Sequence, residues 1–197
     1  METEIEAKFL NIDPAQLRIK LQALGATQEH PEKLMKRKTF DDRDGRLNKV
    51  GGWIRLRDEG GKITLSYKQL NDRTLYGTKE ITVSVDNFDA TCLLLEAVGF
   101  TQKSYQETKR EKWILVGAKI TIDTWPWIPT FIEIEAGDEH LLKNTVSKLD
   151  LEWKDALHGS VETAYQKYYD VTENEIDGWR TITFISIPDW LESKRRQ

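Results

Sequence analysis

Charged residues alternate with apolar ones at the very start of the chain. In METEIEAKFL, Glu2, Glu4, Glu6 and Lys8 would share one face of an extended segment, and Ile5, Ala7 and Phe9 the other. The pattern returns further on. Arg55 and Arg57 of WIRLR oppose Ile54 and Leu56, while Lys68 of TLSYK shares a face with Ser66 and Thr64. Glu133 and Glu135 of TFIEIEA oppose Ile132 and Ile134. Glu80 stands between Lys79 and Ile81, Asp123 follows Ile120 and Ile122, and Arg110 falls inside KREKW. For any one strand, a charged side facing water is the simpler reading. As a group the strands argue otherwise, because a solvated face has little reason to sort its charges by sign. Like charges two residues apart on a strand lie about 7 Å apart and repel, so sorted pairs persist best around something of opposite charge. Sorted acids suit hard divalent cations, and sorted arginines and lysines suit a polyanion.

The elements that must carry these residues can be read in order. After the first strand, Asp13 and Pro14 predict a helix start, with Leu17, Leu21 and Leu24 as its apolar stripe and Gly25 as its end. LMKRKTFDD and GGWIRLRDEG follow as strands, and a Gly60-Gly61 turn joins the latter to KITLSYKQL. TLYGTKEITVSV is another strand, closed by the helix DNFDATCLLLEAVGF, in which Cys92 should be buried. Residues 108–116 and 119–124 form a hairpin, and 130–136 an eighth strand followed by a helix over 138–149. Ser160 is expected to cap a helix in HGSVETAYQKYYD, and SIPDWLESKRRQ a last short one. The second half repeats the plan of the first.

Eight antiparallel strands that close leave an interior wide enough for side chains or one small ligand. If the aliphatic faces pack against outer helices, whose leucine stripes need a partner, the charged faces must line the interior. The expected fold is therefore α+β: a closed or nearly closed eight-stranded antiparallel β-barrel, a tunnel with a charged lumen and helices outside. Its basic wall would take a polyanion and its acidic wall metal ions.

Glu4-Ile-Glu6-Ala-Lys8 resembles the ExExK signature of the CYTH superfamily, the triphosphate tunnel metalloenzymes, which join class IV adenylyl cyclases with thiamine and inorganic triphosphatases. WIRLR, LSYK, KEITV, TKREKW, TID and FIEIE follow in the family's order over residues 2–136, and Tyr165 fits its usual extension. The resemblance implies metal-binding roles for Glu4, Glu6, Glu133, Glu135, Glu80 and Asp123, with Mg²⁺ or Mn²⁺ as cofactor. It implies phosphate binding by Lys8, Arg55, Arg57, Lys68 and Arg110, and catalytic roles for Glu4, Glu6 and Lys68. The implied activity is metal-dependent hydrolysis of inorganic tripolyphosphate, a nucleoside triphosphate or thiamine triphosphate. Cyclisation of ATP to cyclic AMP and non-catalytic polyphosphate binding are the alternatives. Two positions depart from the pattern: Thr39-Phe40 stands where relatives often carry tyrosine, and Thr130 replaces a glycine.

Composition bounds the rest. The 197 residues are expected as one domain, with a CYTH-like tunnel over 1–170 and a C-terminal helical extension of it over 171–197. Thirty-three acids against 29 bases give a net charge of −4, which argues against nucleic acid as a partner. Cys92 is the only cysteine, so no internal disulfide forms. His30, His140 and His158 share no zinc-ligand spacing, and WPWIP is expected as a rigid loop packed on a helix. No apolar run reaches membrane-spanning length and the acidic start is unlike a signal peptide, so a cytoplasmic monomer or homodimer without membrane contact is expected.

Overall fold

Period-two alternation gives each strand an apolar side and a charged side, and the sheet curls so that the apolar sides end up outside. The computed structural model describes residues 1–196. Its strands are β1 (Glu2–Thr3), β2 (Glu6–Phe9), β3 (Thr27–Asp42), β4 (Gly52–Asp58), β5 (Ile63–Leu70), β6 (Thr78–Val85), β7 (Phe100–Leu115), β8 (Ala118–Thr124), β9 (Phe131–Glu135) and β10 (Thr181–Ile182). All belong to one sheet in the order β1-β6-β5-β4-β3-β7-β8-β9-β2, antiparallel except for β10, which runs parallel to β7.

The count is ten, not the eight expected. The opening segment breaks at Glu4–Ile5, so its two halves pair with opposite edges of the sheet: Glu2 aligns with Glu80 on β6, and Glu6 with Glu135 on β9. The Glu4 amide donates to the Thr78 carbonyl at 3.0 Å, while the Ile5 carbonyl accepts from the Ala136 amide at 3.0 Å. One short segment thus joins the two edges. The added strand, β10, comes from the C-terminal tail, which is therefore not purely helical.

Six helices accompany the sheet: α1 (Pro14–Ala23), α2 (Phe88–Ala97), α3 (Glu139–Lys148), α4 (Glu162–Tyr168), α5 (Glu173–Asp177) and α6 (Asp189–Glu192). Asp13 caps α1, accepting from the amides of Ala15 and Gln16, with Pro14 in the first turn, where a missing amide costs nothing. Leu17 and Leu21 face inward, but Leu24 lies past the last helical residue and is exposed. Ser160 does not cap α4 with its side chain; its carbonyl accepts from the Thr163 hydroxyl instead.

Three apolar clusters lie outside the barrel. The largest joins Leu17 and Leu21 of α1 and Leu142 and Val146 of α3 to Ile120, Ile122, Ile132 and Ile134 of β8 and β9. Burying each such side chain stabilises the fold by about 1.5–3 kcal/mol. Cys92 and Leu95 of α2 cover Phe40 and Leu56. The third cluster ties Phe131 and Trp125 to Tyr165, Ile176, Ile182 and Leu191, so the tail packs on the same body as the barrel. Among the described residues, no helix is long and apolar enough to cross a membrane.

Candidate functional site

The inward sides of the strands enclose a cavity of about 1270 Å³. Glu4, Glu6, Lys8, Arg55, Arg57, Lys68, Glu80, Arg110, Glu133 and Glu135 all line it. Asp123 does not. It is fully buried behind Arg110, whose guanidinium donates to both its oxygens, at 2.5 and 2.8 Å, and to Glu133 at 2.6 Å. Asp123 therefore orients a lumen arginine rather than facing the lumen. Burial alone would lower the pKa of Arg110, yet Asp123 and Glu133 hold it above the ordinary arginine value.

The acidic side is built on the split opening segment. Lys8, 1% exposed, has its ammonium 2.8 Å from Glu6, 3.3 Å from Glu133 and 2.5 Å from the Gly159 carbonyl. Burial opposes its charge, but Glu6 and Glu133 raise its pKa above the usual lysine value. Lys68 reaches from β5 to Glu4 at 2.7 Å and to Glu80 at 3.4 Å. Glu4 is pushed up to about 8 by burial and by the adjoining Glu80 carboxyl. Against burial, its hydrogen bond to Glu4 and the charges of Lys68 and Arg55 hold Glu80 well below the carboxylate range. Two carboxyls crowded in this way hold one proton between them, on Glu4, while Glu80 stays ionised.

That crowding bears on the implied metal. Among the described residues, no three acidic, histidine or cysteine side chains already converge as a metal cage. Glu4, Glu6, Glu80, Glu133 and Glu135 are instead each clasped by a lysine or arginine. The donor set is nonetheless all oxygen, and the buried Glu4 Oε2 meets the Lys68 ammonium at 2.7 Å. An all-carboxylate donor set on one wall of the cavity fits a hard divalent cation, with Glu4, Glu6, Glu80, Glu133 and Glu135 as the residues that would hold it.

The basic side follows from strand register. Arg55 pairs with Glu80 at 2.9 Å, and Arg57 with Glu59 at 2.5 Å. Burial, then the charges of Arg55 and Arg110, bring Arg57 down to about 10. Arg37, on β3, is the register neighbour of Arg57 and also lines the cavity, though the run Lys36-Arg37-Lys38 hides it in the sequence. Trp53 shares the inward face of β4 with the two arginines. Both were legible in principle by extending the period-two pattern one step, to Arg37 from Thr39 and to Trp53 from Arg55.

At the departure from the family pattern, Thr39 lines the cavity and Phe40 is fully buried against Leu56 and Cys92. The Trp125–Pro129 loop packs on the tail: Trp125 meets Tyr165 edge-on at 6.4 Å, and the Tyr165 hydroxyl donates to the Pro126 carbonyl at 2.9 Å. Ser160 and Glu162 at the start of α4, and Ile176, Asp177 and Gly178 of the tail, also border the cavity, a contribution no sequence motif signalled.

Residues 2–169 match the family described as CYTH domain. No curated protein matches the chain. Among solved structures, the fold is similar to that of a candidate adenylate cyclase from Vibrio parahaemolyticus, with a TM-score of 0.71 and 15% identity over 84% of this chain and 98% of that one. A Pyrococcus horikoshii protein gives 0.65 and 19%, covering 78% and 93%. A Hippeastrum protein, described as a candidate adenylyl cyclase with a dominant triphosphatase activity, gives 0.58 and 19%, covering 85% and 96%. At these identities the likeness concerns the fold.

Proposed function

The chain belongs to the CYTH domain family, and from that premise we propose that it hydrolyses a triphosphate chain with the help of Mg²⁺ or Mn²⁺. The observation that supports catalysis over binding is the retained acidic wall. Holding a polyanion needs only bases, yet Glu4, Glu6, Glu80, Glu133 and Glu135 share the cavity with Arg55, Arg57 and Arg110.

In this reading Arg55, Arg57, Arg110, Lys8 and Lys68 grip and neutralise the phosphoryl oxygens, the main demand of phosphoryl transfer. Asp123 fixes the plane of Arg110 so that its fork meets phosphate without reorganising. Lys68 stands between Glu4 and Glu80, where it can move from carboxylate to phosphate as the anion enters. When bound by the carboxylates, a divalent cation would polarise a phosphoryl oxygen and lower the pKa of a bound water. The curled β-framework buries most of each of these side chains, which strengthens their charges relative to bulk water.

The test is product analysis after incubation with tripolyphosphate or ATP and either cation. Orthophosphate release is expected. Cyclic AMP with pyrophosphate would instead make the protein a cyclase, and tight binding without turnover would make it a polyphosphate-binding module.

A further inference from the structure

Arg37 differs from every other arginine of the cavity wall in its partners. It is 7% exposed, yet among the described residues no carboxylate lies within ion-pair distance of it. Its side chain makes one hydrogen bond, from Nη2 to the Thr108 hydroxyl at 2.9 Å, and its guanidinium stacks 4.5 Å above the Trp125 ring. Its Nε–H has no acceptor, and the same is true of the Nε–H of Arg55 and of Arg57. Leaving a buried charge without a counter-charge is among the costliest arrangements in a protein. Stacking on an indole relieves only part of that cost. The planar fork is held by Trp125 on one side and Thr108 on the other, with its register neighbours Arg57 and Gln106 beside it.

We infer that Arg37 is a further phosphate-binding residue of the tunnel, and that its ligand is the terminal phosphate of the substrate chain. This rests on the triphosphate reading above. The argument for a terminal group is one of charge. Arg55, Arg57 and Arg110 each have a protein carboxylate beside them and need only the single charge of a bridging phosphate to displace or supplement it. Arg37 adds an uncompensated charge to three neighbouring guanidinia, so local positive charge peaks there, and a terminal phosphate can carry two negative charges where a bridging one carries one. Burial and the charges of Arg55, Arg57 and Arg110 all lower its pKa, a burden that a dianion would lift.

The test compares linear tripolyphosphate, which has terminal phosphates, with cyclic trimetaphosphate, which has none. Dissociation constants and ligand-induced melting shifts are measured without metal for the wild type, Arg37→Gln and Arg37→Met; the methionine keeps an apolar chain on Trp125. Both variants should lose about tenfold or more in affinity for the linear ligand, the scale of one charge-assisted contact, and little for the cyclic one. Unchanged affinity, or equal losses on both ligands, would overturn the assignment. A wild type that binds neither ligand would instead remove the triphosphate reading itself.

Discussion

Glu6 and Glu135 stand directly opposite one another across the β2–β9 pair. Like charges in that relation destabilise a sheet, and here each is relieved from one side, Glu6 by Lys8 and Glu135 by Lys119. If the pair is kept for a cation, Glu6→Gln should lower metal-dependent turnover by two orders of magnitude or more. Binding of tripolyphosphate without metal should hold or tighten, because a repulsive carboxylate is gone. Turnover titrated against Mn²⁺ checks this; an unchanged rate and metal optimum would leave the acids structural.

Arg57 sits among like charges, and burial already weakens its hold on its own proton. Arg57→Ala should therefore leave the empty protein nearly as stable, within about 1 kcal/mol, while costing about tenfold or more in tripolyphosphate affinity. Arg55→Ala should behave likewise, since Glu80 keeps Lys68 beside it. Melting curves with and without ligand decide the matter. A large loss of stability with an intact ligand-induced shift would make the arginines structural.

Lys8 serves the fold as much as the site. Replacing it with methionine would leave Glu6, Glu133 and the Gly159 carbonyl without their cation. Breaking a buried pair from one side costs about 3–5 kcal/mol. Against burial, Lys8 and then Arg110 hold Glu133 below the carboxylate range. A depressed carboxylate contributes its stability above its unfolded pKa and loses it as pH falls through the folded value. Denaturant melts of Lys8→Met should accordingly show the full deficit at pH 7 and a shrinking one toward strong acid.

Glu162 runs the other way. Burial, with Asp177 nearby, pushes its carboxyl up to about 7, and its Oε2 has no hydrogen-bond partner. A raised carboxyl favours the fold while protonated, so this contribution is present below the unfolded value of 4.5 and is lost as pH rises through about 7. Because the residue is only partly buried, the effect should be modest. Glu162→Gln should be more stable than the wild type at pH 8 by about 1–2 kcal/mol, and no more stable at pH 5. Parallel thermal melts at the two pH values test the sign.

The charged strands were legible because sorted charges on a period of two leave few alternatives for which side faces the ligand. Arg37 escaped because three consecutive bases, Lys36 to Lys38, carry no alternation of their own. The first half of β3 escaped for a different reason. His30 and Pro31 carry no strand pattern of their own, but pairing with β7 holds them in a strand whose register shifts between Gln28 and Lys33. A partner strand overrode local preference there. β10 is two residues long and exists only because the tail crosses Tyr105 and Gln106, so no local pattern could announce it. The break at Glu4–Ile5 is likewise a product of closure, since only a finished barrel requires one segment to serve two edges.

That break has a consequence for how the molecule comes into being. The segment of residues 2–9 needs β9, some 130 positions later in the sequence, before half of its hydrogen bonds can form. Pairing across so long a loop is entropically late and kinetically slow. That segment must wait unpaired on that side until β9 has been made, and the acids and base it carries come together with their partners only when the seam shuts. Assembly of the barrel and assembly of its charged centre are then a single event.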